Sequence, residues 1–205
     1  MLAVAAVGLF LVAYQWGNQL RYSSDAPPTI GGVLLRQAEP LPDFVLTDTA
    51  GEPFGRGDLL GHWSLLAVTN LAGAGGHRGI ARLVEVYNRL ADRSQLQDTL
   101  RLLLVTADAA PKLARDFERL SPAIHVLSGE RAAAADLAVA LGAEPDAALA
   151  GQDTEPPALF LLDPDARLVA IFPSAEAPAT IADDVAALAR HRERHPARLN
   201  DDGQG

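Results

Sequence analysis

Residues 65–68, Leu-Leu-Ala-Val, lead within a few residues into a loop of small residues, Gly73-Ala74-Gly75-Gly76, and that loop feeds an apolar pattern at Ile80, Leu83, Val84, Tyr87 and Leu90. An unbroken apolar run, then glycines, then a period of 3.6 residues predicts a buried strand, a tight loop and a helix. This junction constrains the fold more than any other stretch, because a strand followed by a crossover helix belongs to an α/β domain. Such domains keep their chemistry at the carboxyl ends of their strands. Yet residues 71–79 offer no thiol, no hydroxyl and no carboxylate. Architecture is written plainly here, and activity faintly.

Ahead of that junction, residues 1–20 carry no charged side chain, and residues 2–14 are almost wholly apolar. A helix of this length extends about 30 Å at about 1.5 Å per residue, enough to span a bilayer. Tyr14 and Trp16 then fall at the interface, with Arg21 the first charge beyond it. A cleaved signal peptide or a buried core helix are the rival readings. No clean small-residue cleavage pattern follows the apolar run, and a core helix at a terminus would not be apolar on all sides. Residues 1–20 are therefore expected to form a single transmembrane anchor. Residues 21–40, with Ser23-Ser24-Asp25, Pro27-Pro28 and Gly31-Gly32, read as an extended tether. Residues 41–190 are expected to form the folded domain, and residues 191–205 a polar C-terminal tail.

Within the domain, residues 44–47 and 52–54 make a hairpin around Thr49-Ala50-Gly51. Residues 63–70 and 100–106 are strong strands, the second apolar enough to be buried on both faces of a parallel sheet. Between residue 108 and residue 120 a helix is expected, capped by Asp108, with Pro111 in its first turn and Leu113, Phe117 and Leu120 facing inward. Residues 124–127 form a short strand, after which Ser128 is expected to cap a helix over 131–141 that Gly142 ends. Residues 144–157 read as a loop. Two further strands, 158–162 and 168–172, flank the turn Asp163-Pro164-Asp165-Ala166. A last helix places Ile181, Val185 and Leu188 inward and Asp183 and Asp184 outward. A hairpin, then β-α-β-α-β-α, then a second hairpin and a closing helix predict a thioredoxin-like fold with an N-terminal β-hairpin extension.

Composition excludes several functions. A formal net charge of -9 argues against a nucleic-acid partner, which calls for clustered Lys and Arg. With no cysteine in 205 residues, thiol catalysis, disulfide exchange, Cys-ligated zinc and iron-sulfur clusters are all ruled out. The loop 73–79 spaces its glycines as G-x-G-x-x-x-G, off the dinucleotide fingerprint, and no Gly-Lys-Ser/Thr follows. Asp163 and Asp165 flank a proline as turn residues, and no serine sits in a G-x-S-x-G context. No catalytic or cofactor-binding residue emerges, and the chain is expected not to be an enzyme.

Beyond these readings, the chain resembles the Sco/SenC proteins, membrane-anchored thioredoxin-fold copper chaperones of cytochrome c oxidase assembly. The likeness rests on Pro42-Asp43-Phe44-x-Leu46 with Gly51 and Phe54, on Asp58-Leu59-Leu60-Gly61-His62-Trp63, and on Thr106-Ala107-Asp108. It continues through Ser128-Gly129, the 137–142 helix end and Leu161-Leu162-Asp163-Pro164-Asp165. In that family the loop after the strand reads T-x-C-P-x-x-C-P, and its two thiolates bind copper with a histidine that precedes the late hairpin. Counted without gaps, those three ligand positions fall on Gly73, His77 and Glu155. Copper(I) prefers soft sulfur ligands, which these residues do not supply.

The resemblance thus implies a degenerate member without redox or copper(I) residues. It implies an accessory factor that binds protein partners such as oxidase subunits or assembly factors, anchored in a bacterial inner membrane with its domain in the periplasm. The few charges, Arg21 and Arg36, lean instead toward a cytoplasmic domain, and the resemblance outweighs them. The alternative is a copper carrier that uses His77 and Glu155, a nitrogen and oxygen pair suited to copper(II) or zinc, or ligands from a partner. Two further histidines, His191 and His195, are four residues apart among Arg190, Arg192, Glu193 and Arg194, where they can share a helix face or simply form a solvated basic helix end.

Overall fold

The computed structural model describes residues 27–107, 110–150 and 155–195. Its strands are β1 (Val33–Leu34), β2 (Val45–Thr47), β3 (Pro53–Gly55), β4 (Trp63–Val68), β5 (Leu100–Thr106), β6 (Ile124–Ser128), β7 (Leu159–Leu162) and β8 (Leu168–Phe172). The helices are α1 (Ala74–Asn88), α2 (Ser94–Thr99), α3 (Pro111–Glu118), α4 (Arg131–Ala140), α5 (Pro145–Ala150) and α6 (Pro178–Arg194). The strands form one mixed sheet in the order β1-β8-β7-β4-β5-β6-β2-β3. The chain divides into two compact units, of which Ile30–Ala186 holds the whole sheet. Of the described residues, the smaller unit contains 27–29 and 187–195.

All six residues of β4 are buried, and β4 pairs in parallel with β5 from Trp63↔Leu100 to Val68↔Val105. That is the expected consequence of an unbroken apolar run, since a strand covered on both faces has no polar side to show. Alternate residues sort the two faces. Leu66, Val68, Leu103, Val105, Leu127, Phe160 and Leu162 join Leu137, Ala138, Leu141 and Leu149 of the α4–α5 region in one apolar cluster. On the opposite face Leu104 lies against Gly79 of α1. Each leucine buried to this degree contributes about 1.5–3 kcal/mol over its exposed state. The hairpin β2–β3 adds antiparallel to β6 through Thr47↔Ser128, and β7–β8 adds antiparallel to the other side of β4. The thioredoxin-like fold with its N-terminal hairpin is therefore present.

Several local expectations need correction. The stretch read as a tether is part of the sheet from residue 33: β1 pairs with β8, Leu35 N–H donates to Val169 O at 2.9 Å, and Pro40 bridges Arg167. Gly31 and Gly32 are not flexible punctuation. Both N–H groups donate to Oδ2 of Asp184, at 2.8 and 3.3 Å, and a Cβ at either position would collide with Thr180 or Phe172. Asp184 is accordingly buried rather than outward-facing. Ser128 does not cap α4 but closes β6, and Glu130 takes the N-cap position. Leu120 is 61% exposed, and Ala114 with Phe117 forms the inner face of α3 instead. The loop expected over 144–157 contains α5, whose Leu149 is buried. The polar tail expected from residue 191 begins inside α6, which runs to Arg194.

The predicted anchor, residues 1–20, and the capping role of Asp108 lie outside the described residues. Among the described residues no helix is long and apolar enough to cross a membrane.

Candidate functional site

The site is built where β4 ends. Thr69 N–H still donates to Val105 O at 2.9 Å, so the ladder with β5 extends one residue beyond the strand. Asn70 then turns the chain. Its Oδ1 accepts the N–H of Gly73 at 2.9 Å, and Leu71 N–H donates to the buried Thr106 Oγ1 at 3.2 Å. The same N–H also reaches Asn70 O at 3.3 Å, so the side chain reinforces the backbone turn, which suits Asn at this position. Gly73 follows as the N-cap of α1, in extended conformation and without a side-chain cap.

The glycines that follow answer to close approach rather than to a phosphate. A Cβ on Gly75 would lie 2.6 Å from Thr69 Oγ1, and one on Gly76 would strike the carbonyl oxygens of Asn70 and Leu71. With no room for side chains, the first turn of α1 rests directly on the strand-to-helix loop.

His77 lies one turn into α1. Its Nδ1 is 3.3 Å from Gly73 O, and its exposed ring meets Phe117 of α3 edge to face, with centroids 5.3 Å apart. The two positions aligned with the family's thiolates are thus neighbours across a single helical turn. Glu155 lies on the segment before β7 and lines a pocket of about 370 Å³, together with Val68, Thr69, Gly75, Pro157 and Phe160. His77 does not line that pocket. The structure therefore places the three aligned positions at the same end of the sheet but gives His77 and Glu155 different surroundings. Among the described residues no group of three or more His, Asp or Glu side chains is arranged to hold a metal ion. Tested against copper(I), the donor set does not fit: glycine has no side-chain donor, and one imidazole and one carboxylate are harder ligands than two thiolates.

One residue that organises this region escaped the sequence reading. Arg82 of α1 is only 5% exposed. Its guanidinium donates to Pro157 O at 2.7 Å through Nη1, and to Pro173 O at 2.6 Å and Glu176 O at 2.8 Å through Nη2. It thereby ties the segment carrying Glu155 and the segment after β8 to the same helix. Burial lowers its pKa from the ordinary value, and the nearby Glu176 carboxylate opposes that shift. The available signal was its place on the stripe Gly79, Arg82, Val86, which is otherwise small or apolar.

Of the remaining histidines, His125 on β6 has its pKa pushed below the ordinary 6.5, chiefly by burial and then by Arg101, while Glu118 and Asp48 pull the other way. The Asp163 carboxylate is used up in its turn, where Oδ1 accepts the N–H groups of Asp165 and Arg167.

Fold and site together define a thioredoxin-like domain whose strand-to-helix loop is tightly packed and carries no thiol. The chain belongs to the SCO1/SenC family, whose model matches residues 35–190. Its fold is shared with yeast Sco1 solved with copper bound, with a TM-score of 0.61 and 18% identity over 75% of this chain and 94% of that one. It is shared with BsSco, a member of the Sco family of cytochrome c oxidase assembly proteins, with a TM-score of 0.58 and 14% identity over 76% and 97%. A SCO1/SenC family lipoprotein from Bacillus anthracis matches with a TM-score of 0.53 and 16% identity over 76% and 99%. A search of curated proteins returned no significant match.

Proposed function

We propose that this protein is an accessory factor in respiratory oxidase assembly that uses the family's site face to bind another protein rather than to carry copper(I) or exchange disulfides. The observation that carries the reading is a tightly packed strand-to-helix loop that holds no thiol. On an ungapped count Gly73 and His77 fall on the family's two thiolate positions, one turn of α1 apart, in a chain without cysteine. Selection for a copper carrier would keep sulfur there, whereas a docking surface needs only the shape that Arg82 and the tightly packed glycines preserve. On this reading the protein is not an enzyme. Membership of a family associated with oxidase assembly supports partners of that kind. The Bacillus anthracis relative is a lipoprotein, which supports a membrane-associated domain; a periplasmic side and an anchor in residues 1–20 are part of this proposal.

The test is capture of the full-length, membrane-extracted protein from its own cells, with Glu155→Arg at the pocket rim as the comparison. Oxidase subunits or assembly factors should accompany the wild type and be depleted with the variant. If nothing related to the oxidase is retained, or the retained set is unchanged by Glu155→Arg, the reading fails.

A further inference from the structure

We propose that His191 and His195, half-buried at the end of α6, form a chelate for a divalent transition metal, copper(II) first, independent of the region around His77. Two observations and one general rule carry this. The two rings lie 4.8 Å apart between centroids and are tilted by 40°. The N–H of His195 donates to His191 O at 3.0 Å, so the α-helical register persists through the pair although the helix itself ends at Arg194. Two histidines at i and i+4 on one helical face are a known way of presenting two imidazole nitrogens to one ion.

The chemistry selects the metal class. Two imidazoles are borderline donors that suit copper, nickel and zinc, and the divalent series places copper(II) highest. Glu193, two residues on, projects about 200° around the helix from His191 and contributes no third ligand. Water completes the coordination. The helix C-terminus favours a cation at this position, while Arg190, Arg192 and Arg194 oppose a second positive charge. Because that opposition is long-range and exposed, raising the ionic strength should strengthen binding rather than weaken it.

The experiment is titration of the untagged full-length protein in detergent with copper(II), read by calorimetry and by the nitrogen couplings in its electron paramagnetic resonance spectrum. The wild type should bind one ion with two nitrogens. His191→Ala and His195→Ala should each lower the affinity by about tenfold or more, since the second ligation is intramolecular, and each should leave one nitrogen. His77→Ala should change neither reading. Glu193→His introduced into the His195→Ala chain restores the number of histidines on the wrong side of the helix and should not restore binding. Unchanged affinity in the 191 and 195 variants, full restoration by Glu193→His, or loss of binding in His77→Ala would overturn the assignment. Matching far-UV circular dichroism spectra would show that the variants remain folded.

Discussion

Replacing Arg82 by methionine keeps most of the aliphatic stem in place and removes the guanidinium that holds Pro157, Pro173 and Glu176. Three charge-assisted bonds of 2.6–2.8 Å are lost. At about 1.5–3 kcal/mol each, they would sum to roughly 6 kcal/mol. Two effects reduce that figure. The guanidinium is itself disfavoured by burial, and the carbonyls of exposed Pro173 and half-buried Glu176 can recover water. A net loss of about 3 kcal/mol follows, equivalent to a fall in Tm of about 6–12 °C for a chain of this size. Arg82→Lys retains the charge but not the fork that reaches three acceptors, and should lose about half as much. Equilibrium urea unfolding followed by the fluorescence of Trp63, buried in β4, measures both. Hydrogen exchange should quicken at residues 155–157 and 173–176 before it changes in β5. An Arg82→Met variant within about 0.5 kcal/mol of wild type, the range of an ordinary surface substitution, would refute the claim that this side chain holds the site together.

Other perturbations test separate parts of the structure. Ser64 Oγ, on the central strand, is the one buried side-chain polar atom among the described residues with no hydrogen-bond partner. Ser64→Ala should therefore be neutral or stabilising by up to about 1 kcal/mol in the same urea assay, because it removes an unsatisfied group. Gly76→Ala should destabilise by more than about 2 kcal/mol, since its Cβ meets backbone carbonyls that cannot turn away, and a smaller loss would show that the loop yields easily. His125 is held below 6.5, so on acidification the unfolded chain binds a proton before the folded one does. Its contribution is fully present above pH 6.5 and is lost as pH falls from there toward the lowered folded value. Urea midpoints across pH 7.5 to 5 should fall, and His125→Asn should flatten that part of the profile.

Much of the fold was legible because its strongest signals are local. The change of period between β4 and α1, the continuous apolar run of β5, and Gly142 at φ 79 after α4 can each be read in a short window. The lack of any thiol in the strand-to-helix loop was legible for the same reason, since the whole loop lies in one short window. What escaped depends on partners distant in sequence. Asp184 looked like a solvent-facing helix residue, and Gly31-Gly32 like a flexible linker, until the fold brought them together across more than 150 residues. Arg82 finds its acceptors 75 to 94 residues away. β1 has two residues and α5 has six, too few to establish any period.

The central claim, that a strand-to-helix loop without thiols does not carry copper(I), is tested most directly by copper(I) competition. The full-length protein is titrated anaerobically against a strong chromophoric copper(I) chelator, with the Gly73→Cys, His77→Cys, Glu155→His chain measured alongside. Wild type should leave the chelator saturated. The triple variant, with two thiolates placed one helical turn apart and an imidazole on the segment before β7, should withdraw copper(I) from it. Stoichiometric copper(I) retained by the wild type in that competition would contradict the account and establish the protein as a copper carrier with a site built from other ligands.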